Sequence, residues 1–447
     1  MTAHRPIGDE AGLAAQTPSP GLAPLARIRL GLLLSATARR HPDRVAFVDP
    51  ADKAAWSDRP AITWTYAAAA EIVERFARGL RAWRLPPGSR IGLCLPPGSE
   101  GALAFLAVEA AGHLPCLLPV SWDEEKLLAA AQSAGLCAIL TQSRLGSLAL
   151  AQRLCGVAAR YFGLRYLAAF GPEVPDGVIN LDAMALDGRN LPARTEDAPP
   201  PLLPCGGLVS FCGGDPEAPF YRSSEALVAA TAAHLCAARI APEARILSLI
   251  GAQDLLGLAT GLAAALVSGA SLETLPVFDG QGFARALARP VPTHLVAPAF
   301  LERNLAGRDL PESLRSVILA RRAPAPLGQA ARAGEALRVS SVVDALAFGE
   351  TALLSRPRGE AGDLGLVLAR PDRLALPANL MAMRREGDGR IGFRGRACNA
   401  APLQRGSANP ASDENWRATP YALSASEGVI AAVETARNAA PDASAAA

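Results

Sequence analysis

From Leu25 onward, short apolar runs alternate with longer amphipathic stretches, and this rhythm constrains the fold more than any other feature. ARIRLGLLLSATARRHPDR has the spacing of an amphipathic helix and leads into the strand-like VAFV. ITWTY alternates like a strand, AAAAEIVERFARGLRAW is a long amphipathic helix, RIGLCLP a buried strand, and SEGALAFLAVEAAG the helix after it. CAILT and a helix near 144–160 continue the series. Strands separated by helices of this length cannot pair as hairpins. They pair in parallel, with crossover helices on both faces of the sheet.

A Pro-rich joint, NLPARTEDAPPPLLP at 190–204, separates this series from a second one. The second runs GLVSFC, a helix at about 223–240, RILSLIG, a helix at 255–269, SLETLP, a helix near 281–288, THLVAP and LRSVILA. After about 345 the texture changes to short strand-like pieces with Gly turns, such as GDLGLVLAR and LMAMRREGDGRIGFRG. The expected fold class is α/β: two doubly wound α/β subdomains with a small β-rich subdomain. The expected divisions are a flexible arm at 1–24, a first α/β subdomain at 25–195, a second at 196–344, the β-rich subdomain at 345–437 and a disordered tail at 438–447.

Composition narrows the function classes. The net charge of +2 in 447 residues gives no sign of a nucleic-acid or acidic partner. The N-terminus lacks the basic-then-apolar pattern of a signal peptide. The uncharged run at 255–272 reaches the lower limit for a membrane span, but its Gly, Thr and Ser and the strand-like LETLPVF that follows read as a buried core helix. The eight cysteines form no C-x-x-C pair, and the expectation is small buried hydrophobes in a cytoplasmic protein. The five histidines, His4, His41, His113, His234 and His294, show no metal-ligand spacing. No G-x-S-x-G elbow and no G-x-x-x-x-G-K-[ST] loop occurs. Of the 44 basic residues only Lys53 and Lys126 are lysines, which restricts lysine chemistry anywhere in the chain.

The order of segments resembles the large N-terminal domain of the adenylate-forming enzymes, the superfamily of acyl- and aryl-CoA ligases, adenylation domains and luciferases. HPDRVAFV, TWTYAAAAEIVERFARGLRAWRLPPGSRIGLCLP and FLAVEAAGHLPCLLP carry the early part of the resemblance, and THLVAPAFL with SLRSVILARRAPAP the later part. It extends from about Leu30 to Arg437. The resemblance implies ATP-driven joining of a carboxylic acid to AMP, followed by transfer of the acyl group to a thiol. That chemistry calls for a phosphate loop with a lysine, a magnesium-binding glutamate, a ribose-binding aspartate and a lysine on a mobile C-terminal domain.

Each device departs from the family pattern. T-S-G-T-T-G-x-P-K-G lies over FCGGDPEAPFY at 211–221, with one extra residue: Phe211, Cys212, Gly214 and Asp215 take the hydroxyl-bearing positions, Gly213 stays, and Phe220 stands where the lysine belongs. Asp215 and Glu217 would repel a polyphosphate, and Arg222 is the nearest cation. Y-G-x-T-E lies over Phe348, Gly349, Glu350, Thr351 and Ala352, so alanine takes the glutamate position and Glu350 comes two residues early. W-x-x-T-G-D lies over Trp416–Tyr421, with Tyr421 for the aspartate. H-x-x-G becomes Asp254-Leu-Leu-Gly257, and G-G-A beside the acyl pocket becomes Arg321, Arg322 and Ala323. The hinge arginine matches Arg437, and the chain as given ends too soon after it for the family's C-terminal domain.

These departures lead to the expectation of a ligase homologue without adenylation activity: no catalytic residue, no metal and no cofactor. It would bind a small acyl or aryl ligand, a carrier protein or an active paralogue, and neither nucleic acid nor membrane. The alternative is an unconventional acyl-adenylating ligase that uses Mg-ATP, with Arg222, Glu350 and Tyr421 as substitutes and a C-terminal domain borrowed from another chain.

Overall fold

The computed structural model describes residues 28–187, 189, 206–327, 337, 339–358, 376–377, 379–403, 415–426 and 429–436. The expected arm at 1–24, the tail at 438–447, the strand-like GDLGLVLAR and the hinge residue Arg437 lie outside these.

Two eight-stranded sheets dominate. One has the order Ala352–Pro357, Val342–Phe348, Leu314–Arg322, Thr293–Pro298, Arg245–Ser248, Ser271–Thr274, Val45–Val48, Thr63–Thr65. Its six middle strands pair in parallel and its two outermost strands antiparallel. The other has the order Ala400–Pro402, Pro219–Ser223, Gly207–Phe211, Leu114–Leu117, Arg90–Cys94, Ala138–Gln142, Tyr166–Phe170, Ile179–Asn180. Fully buried strands such as Gly207–Phe211 and Ala138–Gln142 lack polar alternation because helices cover both faces. A five-stranded antiparallel sheet is built from Ala325–Pro326, Val429–Thr435, Arg417–Ser426, Arg390–Arg394 and Ala382–Arg385.

The doubly wound α/β class is as expected, but sheet membership crosses the division at 196 in both directions. Val45–Val48 and Thr63–Thr65 pair into the second-half sheet, and Gly207–Phe211 with Pro219–Ser223 pair into the first-half sheet. Val342–Phe348 and Ala352–Pro357 extend a large sheet and do not join the small one. Pairing between distant segments leaves no mark in local periodicity, so a linear division could not anticipate this exchange.

The apolar run at 255–272 is buried, as read, but it is not one helix. Gly261, at φ −112° and ψ −100°, separates helix Leu255–Thr260 from helix Leu262–Ser268. A Cβ on Gly257 would land on the Gly251 carbonyl oxygen, so the start of the first helix packs against the preceding turn at a distance only glycine allows. No helix among the described residues is long and apolar enough to cross a membrane.

A buried charge cluster ties the N-terminal segment to this framework. The Lys53 ammonium donates to Asp49 at 2.6 Å and to Glu100, while Arg59 donates to Glu100 at 2.8 Å and pairs with Asp182. One of the two lysines is therefore committed to structure; the other, Lys126, is exposed in the first turn of helix Glu124–Ala134.

Candidate functional site

The segment Ser210–Ser224 folds as a β-hairpin. Strand Gly207–Phe211 returns antiparallel through Pro219–Ser223, and only then does helix Ser224–Ala238 begin, capped by the Ser223 hydroxyl. The series read as GLVSFC followed by the helix at about 223–240 is thus corrected: a complete strand intervenes, paired on its other side with Ala400–Pro402. The hairpin tip is closed on itself. Cys212 N–H donates to Ala218 O at 3.1 Å, Asp215 N–H to Cys212 O at 3.0 Å and Ala218 N–H to Asp215 O at 3.2 Å. The Asp215 carboxylate accepts from Glu217 N–H at 2.9 Å, and Ser133 donates to Pro216 O at 2.6 Å. Gly213 and Gly214 hold positive φ of 60° and 76°, the conformation for which the tip needs glycine. Four of the tip's N–H groups and three of its carbonyls serve the turn itself, and no cation stands among residues 211–221.

Arg222, the nearest cation, points away from the tip into the protein. Its side chain is fully buried and donates to Ala397 O at 2.9 Å, to Glu350 O, and to Thr351 O at 3.3 Å. The guanidinium is a clamp on two turns, since its planar fork can reach several carbonyls at once. Burial in this apolar setting lowers its proton affinity.

The turn it clamps carries Glu350. That carboxylate does not face an open site. It accepts from the Ser210 hydroxyl at 2.6 Å and from Leu255 N–H at 3.2 Å, at the N-terminus of helix Leu255–Thr260. Burial, and after it the nearby Asp254 carboxylate, push its pKa up to about 7; the Ser210 hydrogen bond, the Arg222 charge and Leu255 N–H pull the other way. Ser210 had no assigned role in the sequence, although a hydroxyl inside the fully buried strand GLVSF is the kind of residue that needs a partner.

Tyr421 completes the same cluster. Its ring is 6% exposed and packs edge-on to Phe348, whose other neighbour is Phe393 at 4.9 Å. Gly349 has φ +56°, and a Cβ placed there would lie 3.4 Å from both Cys212 Sγ and Tyr421 Oη. Burial raises the pKa of the Tyr421 phenol and of the Cys212 thiol. The structure therefore brings Cys212 and the hairpin, Phe348–Thr351 and Tyr421 to one place.

The residues set beside an acyl pocket divide. Asp254 caps the helix through Gly257 N–H at 2.9 Å and pairs with Arg322, which stays half exposed. Arg321 turns elsewhere, into a four-charge cluster with Asp344, Glu302 and Arg358. Ala323 is buried and donates its N–H to Ala347 O at 2.8 Å. Next to Asp254 in the chain, Gln253 lines a small apolar cleft of about 50 Å³ between the two large sheets. Leu95, Pro97 and Phe105 wall one side, and Ile250, Gln253 and Leu258 the other.

The fit of these residues to Mg-ATP is poor. Among the described residues no ammonium reaches the hairpin, the only carboxylate on the Phe348–Ala352 turn is buried and accepts from two donors, and Tyr421 offers a phenol where the resemblance expects a carboxylate. Among the described residues no group of three or more His, Cys, Asp or Glu side chains could hold a metal ion.

Residues 34–171 match the model of the AMP-binding enzyme family. No curated protein matches the chain. Among solved structures, the N-terminal domain of FACL13 from Mycobacterium tuberculosis aligns over 91% of this chain and 99% of its own, with a TM-score of 0.67 at 14% identity. The ATP-bound MatB from Rhodopseudomonas palustris aligns over 91% and 78%, with a TM-score of 0.67 at 18% identity. The anthranilate CoA ligase AuaEII with anthranoyl-AMP aligns over 92% and 77%, with a TM-score of 0.68 at 13% identity. The chain thus has the fold of the large N-terminal domain of adenylate-forming enzymes, and its first third carries the sequence signature of the AMP-binding family.

Proposed function

We propose that this ligase-fold protein has given up ATP-driven adenylation and acts as a binding protein for a small acyl or aryl ligand. One observation carries the reading: Glu350, the only carboxylate on the turn aligned with the magnesium site, is buried and accepts from the Ser210 hydroxyl and Leu255 N–H. The self-closed hairpin and the inward-turned Arg222 support it. The site we assign to such a ligand is the apolar cleft lined by Phe105, Ile250 and Leu258, which at about 50 Å³ would have to widen on binding.

Pyrophosphate exchange tests the loss of activity. With ATP, magnesium and a panel of aliphatic and aromatic acids, the chain is expected to incorporate label no faster than a blank without protein. Acid-dependent exchange that saturates with substrate would overturn the proposal in favour of a working ligase.

A further inference from the structure

No charged side chain lines the apolar cleft between the two large sheets; among the described residues its polar side chains are Ser248, Gln253 and Thr274. Two of the three are already satisfied. The Ser248 hydroxyl donates to Ile250 O at 3.1 Å and accepts from Ile250 N–H at 3.2 Å, and the Thr274 hydroxyl donates to Pro97 O at 2.9 Å. The half-buried Gln253 amide has no hydrogen-bond partner among the described residues.

Two helix N-termini border the cleft, through Gly101 and Ala102 of helix Ser99–Ala110 and through Gly257 and Leu258 of helix Leu255–Thr260. A helix N-terminus ordinarily favours an anion. Here each is already met by carboxylates. Asp49 accepts from Ser99 N–H at 3.3 Å, and Glu100 stands in the first turn of the same helix. Asp254 accepts from Gly257 N–H at 2.9 Å, and Glu350 from Leu255 N–H at 3.2 Å. The cations beside these carboxylates are committed to them: Lys53 to Asp49 and Glu100, Arg59 to Glu100 and Asp182, Arg322 to Asp254. A carboxylate entering the cleft would lose its water without gaining a cation, and a cation would find no free carboxylate. Gln253 offers an NH2 donor and a carbonyl acceptor, which suit a neutral group of matching kind.

We infer that the cleft takes an uncharged carbonyl compound, an amide or ester with a small apolar body, and excludes the free carboxylic acid in its ionised form. The inference rests on the ligand-binding reading above and narrows that ligand to its neutral derivatives. Two walls, Pro96–Gly98 and Ala252–Gln253, belong to no strand or helix, so the cleft can widen there without breaking either.

Benzoate, benzamide and benzamidine share one shape and are, at neutral pH, an anion, a neutral molecule and a cation. Saturation-transfer NMR of each against the full chain is expected to show saturable binding of benzamide, with the two ions at least about tenfold weaker. Ala252→Leu fills the cleft from a half-buried position and is expected to abolish benzamide binding. Gln253→Leu removes the polar partner and is expected to weaken benzamide about fivefold. Both variants are expected to melt like the parent, since neither position is fully buried. Benzoate or benzamidine binding as tightly as benzamide would overturn the inference and leave a ligand-binding cleft standing. Equal benzamide binding by the parent and both variants would also overturn it, because the ligand would then sit elsewhere. Failure of all three compounds to bind would overturn the inference together with the assignment of the cleft, while pyrophosphate exchange judges the loss of adenylation separately.

Discussion

Replacing Glu350 with glutamine is expected to stabilise the protein at pH 8 and to leave it unchanged at pH 4. The carboxyl is buried beside Asp254, and its pKa rises from the ordinary 4.5 to about 7. A carboxyl that holds its proton more tightly when folded favours the native state while protonated. That contribution is intact below about pH 4.5, declines as pH rises, and is gone above about pH 7. The difference between the two pKa values corresponds to about 3 kcal/mol lost on ionisation. Glutamine keeps an acceptor for the Ser210 hydroxyl and for Leu255 N–H without placing a second negative charge next to Asp254. Melting curves of both proteins from pH 4 to pH 9 should therefore diverge through the window 4.5–7, with Glu350→Gln the higher by several degrees at the alkaline end. Parallel profiles would show that the carboxylate is solvated or matched by a cation, contrary to the geometry described.

Arg222→Met is expected to be the most damaging single substitution in the cluster. It removes the donor to three carbonyls, those of Ala397, Glu350 and Thr351, and deletes the one positive charge that lowers the Glu350 pKa. Unsatisfied buried acceptors cost about 1–3 kcal/mol each, and breaking a buried charged contact costs about 3–5 kcal/mol in all. Arg222→Lys retains the charge but cannot span both turns, and its loss is expected to fall between the two. Urea denaturation followed by tryptophan fluorescence measures the series. A methionine variant within about 0.5 kcal/mol of the parent would mean that the clamp contributes nothing.

These two residues mark where sequence reading stops. The βα rhythm and the order of segments were legible, because periodicity and turn residues are local properties. The direction of a side chain is not local. Arg222 lies two residues past the lysine position of the aligned loop and looks like a stand-in for it, yet it is drawn inward by carbonyls more than a hundred residues away in the chain. Glu350 is two positions from where a metal ligand would stand, and only the fold reveals that Ser210 and the helix at Leu255 claim its carboxylate. The exchange of strands between the two large sheets, and the break at Gly261, likewise arise from packing between distant segments.

The central claim, that the ligase fold here no longer holds nucleotide, is tested most directly by a titration of Mg-ATP into the full chain, followed by calorimetry and by melting temperature. The account predicts no saturable heat and no shift in melting temperature up to millimolar Mg-ATP, because a ligand that does not bind the native state cannot stabilise it. A saturable isotherm with a matching rise in melting temperature, lost in a protein carrying Tyr421→Ala, would contradict it.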